Sequence, residues 1–457
     1  MNFKFENLGP IKNGNINVKD LTIICGENNT GKTYVSYALY GFYKSFDLYF
    51  ANSINSQKYI KKIQDSNSYE INFEDLYNDR DKIRLKAIER YKSEIYNVFN
   101  STKDLFKELN LDIELINEYE DKEKFFKDYE KEFKLLISTF KNKMIISREG
   151  NILRVTVLDT NTDNDEVEVE ELINLLLRVT YPTRMNMRDK NVFMLPAERS
   201  GINIFFKELN INRNNEIFAL NKNANMKKFI KKFSKYALPI SDYLNFLNNM
   251  EENDDGEEEF KNVVDELEDG VICGKYLIDK DNNIRFLHKD FKENESIDFH
   301  IASSTAKTLF SLDYYLKFNA EKGDILIIDE PELNLHPDNQ RKLTRILVKM
   351  VNKGIKLIIS THSDYIIKEI NNLIVLGRKF NGYEELMKKY NYTEDELIEE
   401  DRVSAYMLSN KSITCAEIAE EGIIMETFDN VINAYNKSSD DIYYEYMDRI
   451  GEEEENE

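Results

Sequence analysis

The octapeptide "GENNTGKT", Gly26–Thr33, restricts the possible fold more than any other part of this sequence. It matches the pattern Gly-x4-Gly-Lys-Thr, follows the apolar run "LTIIC" and precedes "YVSYALYGF", whose apolar residues have helical spacing. A strand, a glycine-rich loop and a helix in this order turn main-chain N–H groups inward around a phosphate, beside the positive end of the helix. The pattern therefore predicts a phosphate-binding loop within an α/β fold.

Each position of the loop has an expected role. Lys32 has the reach to contact the β- and γ-phosphates of a nucleotide, and the Thr33 hydroxyl is a ligand that suits Mg²⁺. The remaining residues are expected to line the phosphates: Gly26, Asn28, Asn29, Thr30 and Gly31. The cofactors predicted from this stretch are ATP and Mg²⁺.

A second stretch, "DILIIDEPELNLHPDNQ", supplies the acids that such a loop requires. Four apolar residues end at Asp329, and ligands of open α/β sheets bind at the carboxyl ends of strands. We expect Asp329 to hold the Mg²⁺ and Glu330 to orient or deprotonate the attacking water. In "IKLIISTHSD", His362 follows another buried strand and is predicted to contact the γ-phosphate, although a structural role is the alternative.

The remaining pattern predicts how the chain is arranged around these motifs. Two strands, "FKFENL" and "INVKDLTIIC", are expected to be joined by a turn at "GPIKNGN", and residues 49–142 read as mostly helical. A hairpin is predicted over 144–158, and "NVFML" predicts a short strand ending at Pro196. From Ile301 onward helices and strands alternate, which indicates a parallel sheet.

Composition excludes several classes of protein. A net charge of −22 over 457 residues argues against coating nucleic acid by charge alone, although a local DNA contact stays open; solubility is the simpler explanation of the acidity. The sequence has no run of 18 apolar residues, so no membrane span is predicted. Three widely spaced cysteines fit a reducing cytoplasm, and only four histidines make a zinc or histidine-based nuclease centre improbable.

Three stretches together carry a family resemblance: "GPIKNGNINVKDLTIICGENNTGKT", "LIIDEPELNLHPDNQ" and "LIISTHSD". They resemble the ABC-type ATPase heads of the RecF, SMC and OLD class, in particular the stand-alone AAA-family ATPases of bacterial phage-defence systems such as Septu and PARIS. The resemblance covers about residues 1–48 and 190–376. It implies a P-loop NTPase head whose mixed sheet has a parallel core and an antiparallel subdomain, interrupted by a large helical insertion.

The resemblance also implies a signature motif that contacts the γ-phosphate held by a second subunit. The candidate is "ASSTAKTLFSL", in which Ser303 and Ser304 would bind that nucleotide, while a simple helix cap is the alternative. Thr305 departs from the family pattern, which has glycine there. "ELNLH" stands where such heads carry a dimer-contact loop, and Arg199 in "MLPAERSGI" is left between a phosphate contact and a structural ion pair.

The resemblance implies five segments and a function. The segments are the first part of the head (1–48), the insertion (49–185), the rest of the head (186–376), an α/β extension (377–450) and an acidic disordered tail (451–457). We expect a slow cytoplasmic ATPase that forms head-to-head dimers or higher oligomers and regulates a separately encoded defence effector such as a nuclease. The alternatives are a DNA-repair or chromosome-maintenance ATPase that binds DNA directly, and an ATP-gated scaffold with little turnover.

Overall fold

The computed structural model describes residues 1–63, 67–114, 133–138, 143–158, 191–220, 236–250, 258–279, 283–425 and 434–447. The helices of these residues are α1 (Lys32–Ser53), α2 (Phe73–Asn78), α3 (Arg80–Glu94), α4 (Arg199–Leu220), α5 (Leu238–Asn248), α6 (Lys261–Leu267), α7 (Ser304–Phe318), α8 (Pro337–Asn352), α9 (Asp364–Gly377), α10 (Tyr383–Tyr390) and α11 (434–447).

The strands of the described residues are β1 (Asn2–Leu8), β2 (Ile11–Asn17), β3 (Leu21–Gly26), β4 (Ile60–Lys62), β5 (Ser68–Asn72), β6 (Asn110–Glu114), β7 (Phe133–Ser138), β8 (Lys143–Glu149), β9 (Ile152–Val157), β10 (Val192–Leu195), β11 (Gly274–Ile278), β12 (Ile284–His288), β13 (Ile297–Asp298), β14 (Ile325–Asp329), β15 (Lys356–Thr361), β16 (Val403–Ser409), β17 (Ser412–Cys415), β18 (Ile418–Ala419) and β19 (Gly422–Ile423).

The main sheet has the order β10-β14-β15-β3-β16-β17-β2-β1-β6 within the described residues. Its first five strands are parallel, whereas β1 pairs antiparallel with both β2 and β6. All six residues of β3 are buried, as expected for a central strand covered on both faces. The α/β class with a parallel core and an antiparallel flank is confirmed.

Consecutive side chains of β3 point to opposite faces of this sheet, and each face is covered by its own hydrophobic core. Ile24 packs with the core formed by α1, α3 and the second sheet, β4-β5-β9-β8-β7. Ile23 and Cys25 pack with the core beneath α7, α8 and α9. The phosphate loop therefore leaves the sheet from a strand that is buried on both faces.

The first turn of the chain lies within the predicted stretch "GPIKNGN" but is shorter than the sequence predicts. β1 and β2 meet across Gly9 and Pro10, with Leu8 paired to Ile11, and "IKNGNIN" forms β2 rather than a turn. Gly14 lies inside that strand. Glycine is required there because a Cβ would collide with the side chain of Ile413 on β17. In the sequence alone, a glycine that permits close approach of a neighbouring strand has the same pattern as a turn glycine.

The expectation for residues 49–142 also needs correction. Their described part contains α2 and α3, but also β4, β5, β6 and β7, so it is mixed rather than mostly helical. Short amphipathic runs do not distinguish a strand at a sheet edge from a helical turn. The hairpin predicted over 144–158 is confirmed, with Glu149 opposite Ile152.

The domain boundaries stay predictions. β16 comes from beyond residue 376 and lies beside β3 in the main sheet. Residues 159–190 and the tail 451–457 lie outside the described residues.

Candidate functional site

The phosphate loop lies at the carboxyl end of β3 and leads into α1. The Thr30 hydroxyl donates to the Glu27 carbonyl at 2.9 Å, which closes the loop on itself. Gly31 has φ +104° and a Cβ there would be 2.8 Å from Pro10 Cγ, while a Cβ on Gly26 would be 2.6 Å from the Leu408 carbonyl oxygen. Both glycines are therefore required by the backbone and by its neighbours.

The start of α1 is arranged to receive an anion. Gly31 caps the helix and offers no side-chain acceptor to its first N–H groups. Lys32 is only 6% exposed, and its ammonium donates to the carbonyls of Gly26 at 2.8 Å and Glu27 at 3.0 Å. Asn28 and Asn29 are exposed, and Asn29 has φ +63°. The loop thus holds a charged amine and a helix N-terminus at one point.

The acidic strand end lies directly against this loop. The Thr33 hydroxyl donates to Asp329 Oδ2 at 3.0 Å, and the Ser360 hydroxyl donates to Asp329 Oδ1. Asp329 is 1% exposed, and burial raises the pKa of its carboxyl, while the two hydroxyl donors counteract that effect. The predicted meeting of the loop with the acid strand is thus present in the structure.

Ser360 was not singled out as a site residue in the sequence. The signal in the sequence is that both apolar runs end in a polar residue, Asp329 in "ILIID" and Ser360 in "KLIIS". In the structure β14 and β15 are parallel neighbours, and Asp329 pairs with Ser360. Aligning the two apolar runs at their polar ends places this hydroxyl beside the carboxylate.

Glu330 adopts an uncommon backbone conformation, with φ +51°. Its N–H donates to the Ser360 carbonyl at 3.0 Å, which ties it to the end of β15. Its side chain is a quarter exposed, and its Oε1 lies 3.8 Å from His362 Nδ1. The two residues predicted to be catalytic are therefore brought side by side.

Glu332 contacts the predicted catalytic residue His362, and the sequence analysis does not predict it as a site residue. Its Oε1 accepts from the Thr361 hydroxyl and from the His362 N–H, both at 2.8 Å, and lies 3.2 Å from His362 Nδ1. The carboxylate is 5% exposed, and its Oε2 has no hydrogen-bond partner among the described residues. Glu332 thus fixes the backbone and the ring of His362 together.

The candidate signature serines form a helix start. Ser303 caps α7 by accepting from the Ala306 N–H at 3.1 Å, and Ser304 is the first residue of the helix; both are exposed. Among described residues, neither serine is hydrogen-bonded to the phosphate loop. The helix-cap interpretation is confirmed for Ser303, and a contact with a second subunit's nucleotide stays a prediction.

Thr305 links this helix start to the loop after Glu330. Its hydroxyl donates to the Asn334 carbonyl at 3.1 Å, and the Asn334 amide donates to the Thr308 hydroxyl at 2.9 Å. The start of α7 is therefore hydrogen-bonded to the "ELNLH" stretch.

Among the described residues, Arg199 does not form the structural ion pair that was one of its two expected roles. This first residue of α4 is 2% exposed and donates to the carbonyls of Pro196 at 3.0 Å, Asp329 at 2.7 Å and Glu330 at 2.7 Å. Burial lowers the pKa of its guanidinium, and nearby carboxylates counteract that effect. Its hydrogen bonds in the described structure go to main-chain oxygens rather than to a carboxylate.

The donor set fits a magnesium nucleotide. Mg²⁺ takes one or two protein oxygens and keeps water and phosphate for the rest, which suits the Thr33 hydroxyl with the Asp329 carboxylate. The described residues contain no group of three or more His, Cys, Asp or Glu side chains able to enclose a metal by themselves. Within those same residues, none of the helices is both long enough and apolar enough to span a bilayer.

Comparison with known proteins gives one family match. Residues 1–367 match the model of a family described as AAA ATPase domain. No curated protein matches the chain.

Several solved structures are similar to the chain at low scores. One is an SMC head domain from Thermotoga maritima, 10% identical, covering 92% of this chain and 98% of that one, with a TM-score of 0.30. Another is an SMC head bound to the C-winged helix domain of ScpA, 10% identical, covering 91% and 95%, with a TM-score of 0.33. A third, an Smc head domain with an extended coiled coil bound to the C-terminal domain of ScpA, derived from Pyrococcus furiosus, is 10% identical, covers 95% and 98%, and has a TM-score of 0.30. At these scores the similarity carries no conclusion.

Proposed function

Because this chain belongs to the AAA ATPase domain family over residues 1–367, we propose that it binds ATP with Mg²⁺ at the Gly26–Thr33 loop and hydrolyses it slowly. The observation that carries the proposal is the 3.0 Å hydrogen bond between Thr33 and Asp329, which are 296 positions apart in the chain. Such a contact joins a phosphate loop to a metal-binding acid, and these are the two parts that nucleotide hydrolysis requires.

The residues divide the chemistry between them. Lys32 and the first N–H groups of α1 would bind the phosphates, and Thr33 with Asp329 would hold Mg²⁺, which neutralises phosphate charge when bound. Glu330 would accept a proton from the attacking water, and His362 beside it would donate a hydrogen bond toward the γ-phosphate. The hydroxyl of Ser360 keeps the Asp329 carboxylate oriented toward Thr33.

Two substitutions test this assignment. Lys32→Ala should abolish ATP binding in calorimetry, because it removes the cation of the loop. Glu330→Gln should bind ATP with parent-like affinity and release no phosphate, because it removes the base. Lys82→Ala, an exposed lysine of α3, is the matched control and should behave as the parent does. A Glu330→Gln protein that hydrolyses ATP at the parent rate would disprove the role of Glu330.

We further propose that two copies associate head to head with ATP between them. Support comes from the exposed Ser303 and Ser304 at the start of α7, which Thr305 joins by a hydrogen bond to Asn334 in the loop that follows the acidic strand. ATP added to Glu330→Gln should convert a monomer into a dimer in size-exclusion chromatography with light scattering. If the mass stays that of one chain with ATP bound, the dimer proposal is wrong.

The biological role that we propose is regulation of a separately encoded effector, such as a nuclease, in anti-phage defence. It is supported by the resemblance of the three motif stretches to defence ATPases. Phage challenge of cells carrying the gene with its neighbours should show protection that is lost with Lys32→Ala. Equal plaque counts with and without the intact gene set would refute this role while leaving the ATPase assignment unaffected.

A further inference from the structure

Arg199 occupies a position that is costly for a charged side chain. It is 2% exposed, and its two terminal nitrogens donate to three carbonyl oxygens at 2.7 to 3.0 Å. A buried guanidinium is retained only where its donors are satisfied, and its planar fork suits several acceptors at fixed angles. Two of the three acceptors are the carbonyls of Asp329 and Glu330.

The sheet explains how this arginine reaches the acids. β10 is the parallel neighbour of β14, and Leu195 pairs with Ile328. The chain that leaves β10 therefore emerges beside the acidic end of β14, and the turn to α4 places Arg199 against the two carbonyls. The contact follows from the strand order, not from proximity in the sequence.

Glu330 needs to be held in place. Its φ of +51° lies in the left-handed region, which residues with a Cβ seldom adopt. Its N–H is bound to the Ser360 carbonyl at 3.0 Å and its carbonyl is bound to Arg199 at 2.7 Å. The backbone is thus fixed on both sides, and this conformation directs the carboxylate toward His362.

We propose that Arg199 is a positioning residue that keeps Glu330 in the left-handed conformation required for catalysis. The catalytic part of this inference rests on the proposed ATPase function. The conformational part does not, so the two are tested separately.

The conformational test compares the thermal stability of four variants. Arg199→Met is made in two backgrounds, Glu330→Gln and Glu330→Gly. Both backgrounds lack the carboxylate charge, but only glycine adopts a positive φ without strain. Arg199→Met should therefore lower Tm less in the glycine background, by at least about 2 °C. Equal losses in both backgrounds would show that Arg199 does not hold this conformation. Arg199→Lys replaces Arg199→Met in the same comparison if the latter does not fold.

The catalytic test separates turnover from binding. Displacement of the base by about 1 Å costs about 10²-fold in rate, so kcat of Arg199→Met should fall by that order while the Kd for ATP stays within about threefold. Arg199→Lys should recover part of kcat, because an ammonium donates to fewer of the three carbonyls. Arg402→Lys is the control: Arg402 donates to Asp20, Asn352 and Val351 at the opposite end of β3, so it should alter stability but not kcat.

The outcomes distinguish the two proposals. A folded Arg199→Met protein with parent kcat, or one whose ATP affinity falls as much as its kcat, contradicts the positioning role. A parent protein that binds ATP without any turnover contradicts the hydrolysis proposed above. In that case the Tm comparison still decides whether Arg199 holds Glu330.

Discussion

Asp313 makes the stability of this protein depend on pH in a direction unusual for an acid. It lies on α7, is 1% exposed, and has one oxygen, Oδ1, without a partner among the described residues. Its Oδ2 lies 2.8 Å from the Lys317 ammonium, which also contacts Glu268 at 2.6 Å. Burial raises the pKa of the Asp313 carboxyl to about 7, with Lys317 lowering it and Glu268 raising it.

The sign follows from proton binding. Between pH 4 and 7 the folded protein keeps a proton on Asp313 that the unfolded chain has released, so stability falls as pH rises through this window. A change in pKa from 3.8 to about 7 corresponds to about 4 kcal/mol of unfolding free energy. Relaxation of the cluster with Lys317 reduces this value, and we expect about 2–4 kcal/mol.

Asp313→Asn isolates this contribution because it cannot ionise. Urea unfolding of parent and variant at half-unit steps from pH 4 to 8 gives the difference in unfolding free energy at each pH. The variant should gain about 2–4 kcal/mol relative to the parent over that range, mostly between pH 5 and 7. Asn203→Ala is the control, because it removes an uncharged amide that donates to Ser311 on α7, the helix of Asp313. It should lower the unfolding free energy by the same amount at every pH. A difference between Asp313→Asn and parent that does not vary with pH would refute the reasoning.

Four further substitutions have defined outcomes. Gly31→Ala should lower the unfolding free energy by about 2–4 kcal/mol, because it combines left-handed strain with a collision against the β1–β2 turn. Gly150→Ala introduces the strain without the collision, so in the same urea assay it should lower the unfolding free energy by about 1–2 kcal/mol. Glu332→Ala should lower kcat more than ATP affinity, measured by phosphate release and calorimetry, and an unchanged kcat would remove Glu332 from the site. Thr305→Gly should lower the unfolding free energy by about 1 kcal/mol, because it loses the hydrogen bond to the Asn334 carbonyl. A variant that is more stable than the parent in thermal unfolding would show that this hydrogen bond does not stabilise the protein.

The local motifs of the site were predictable because their geometry follows from short-range rules. A loop between a buried strand and a helix, with glycine at both ends, has few possible conformations, and Lys32 and Thr33 follow it at fixed positions. The acids at the end of β14 could be placed opposite that loop, because parallel strands end at one edge of the sheet.

The contacts that cross between strands could not be predicted with the same certainty. The role of Arg199 depends on β10 lying next to β14, and periodicity alone does not give strand order. The same applies to Gly14, whose purpose is visible only once β17 is known to be its neighbour. Glu332 differs, because the sequence shows the stretch "ELNLH" but its buried hydrogen bonds to Thr361 and His362 depend on the turn after β14.

The position of β3 has a consequence for how the protein is made. This strand pairs with β15 on one side and β16 on the other, so both of its partners are translated more than 300 residues after it. A nascent chain emerging from the ribosome therefore carries a strand whose residues are all buried in the folded protein, but without its two neighbouring strands, until residues 356–408 have followed. The centre of the main sheet therefore forms late in synthesis, after β15 and β16 have been made.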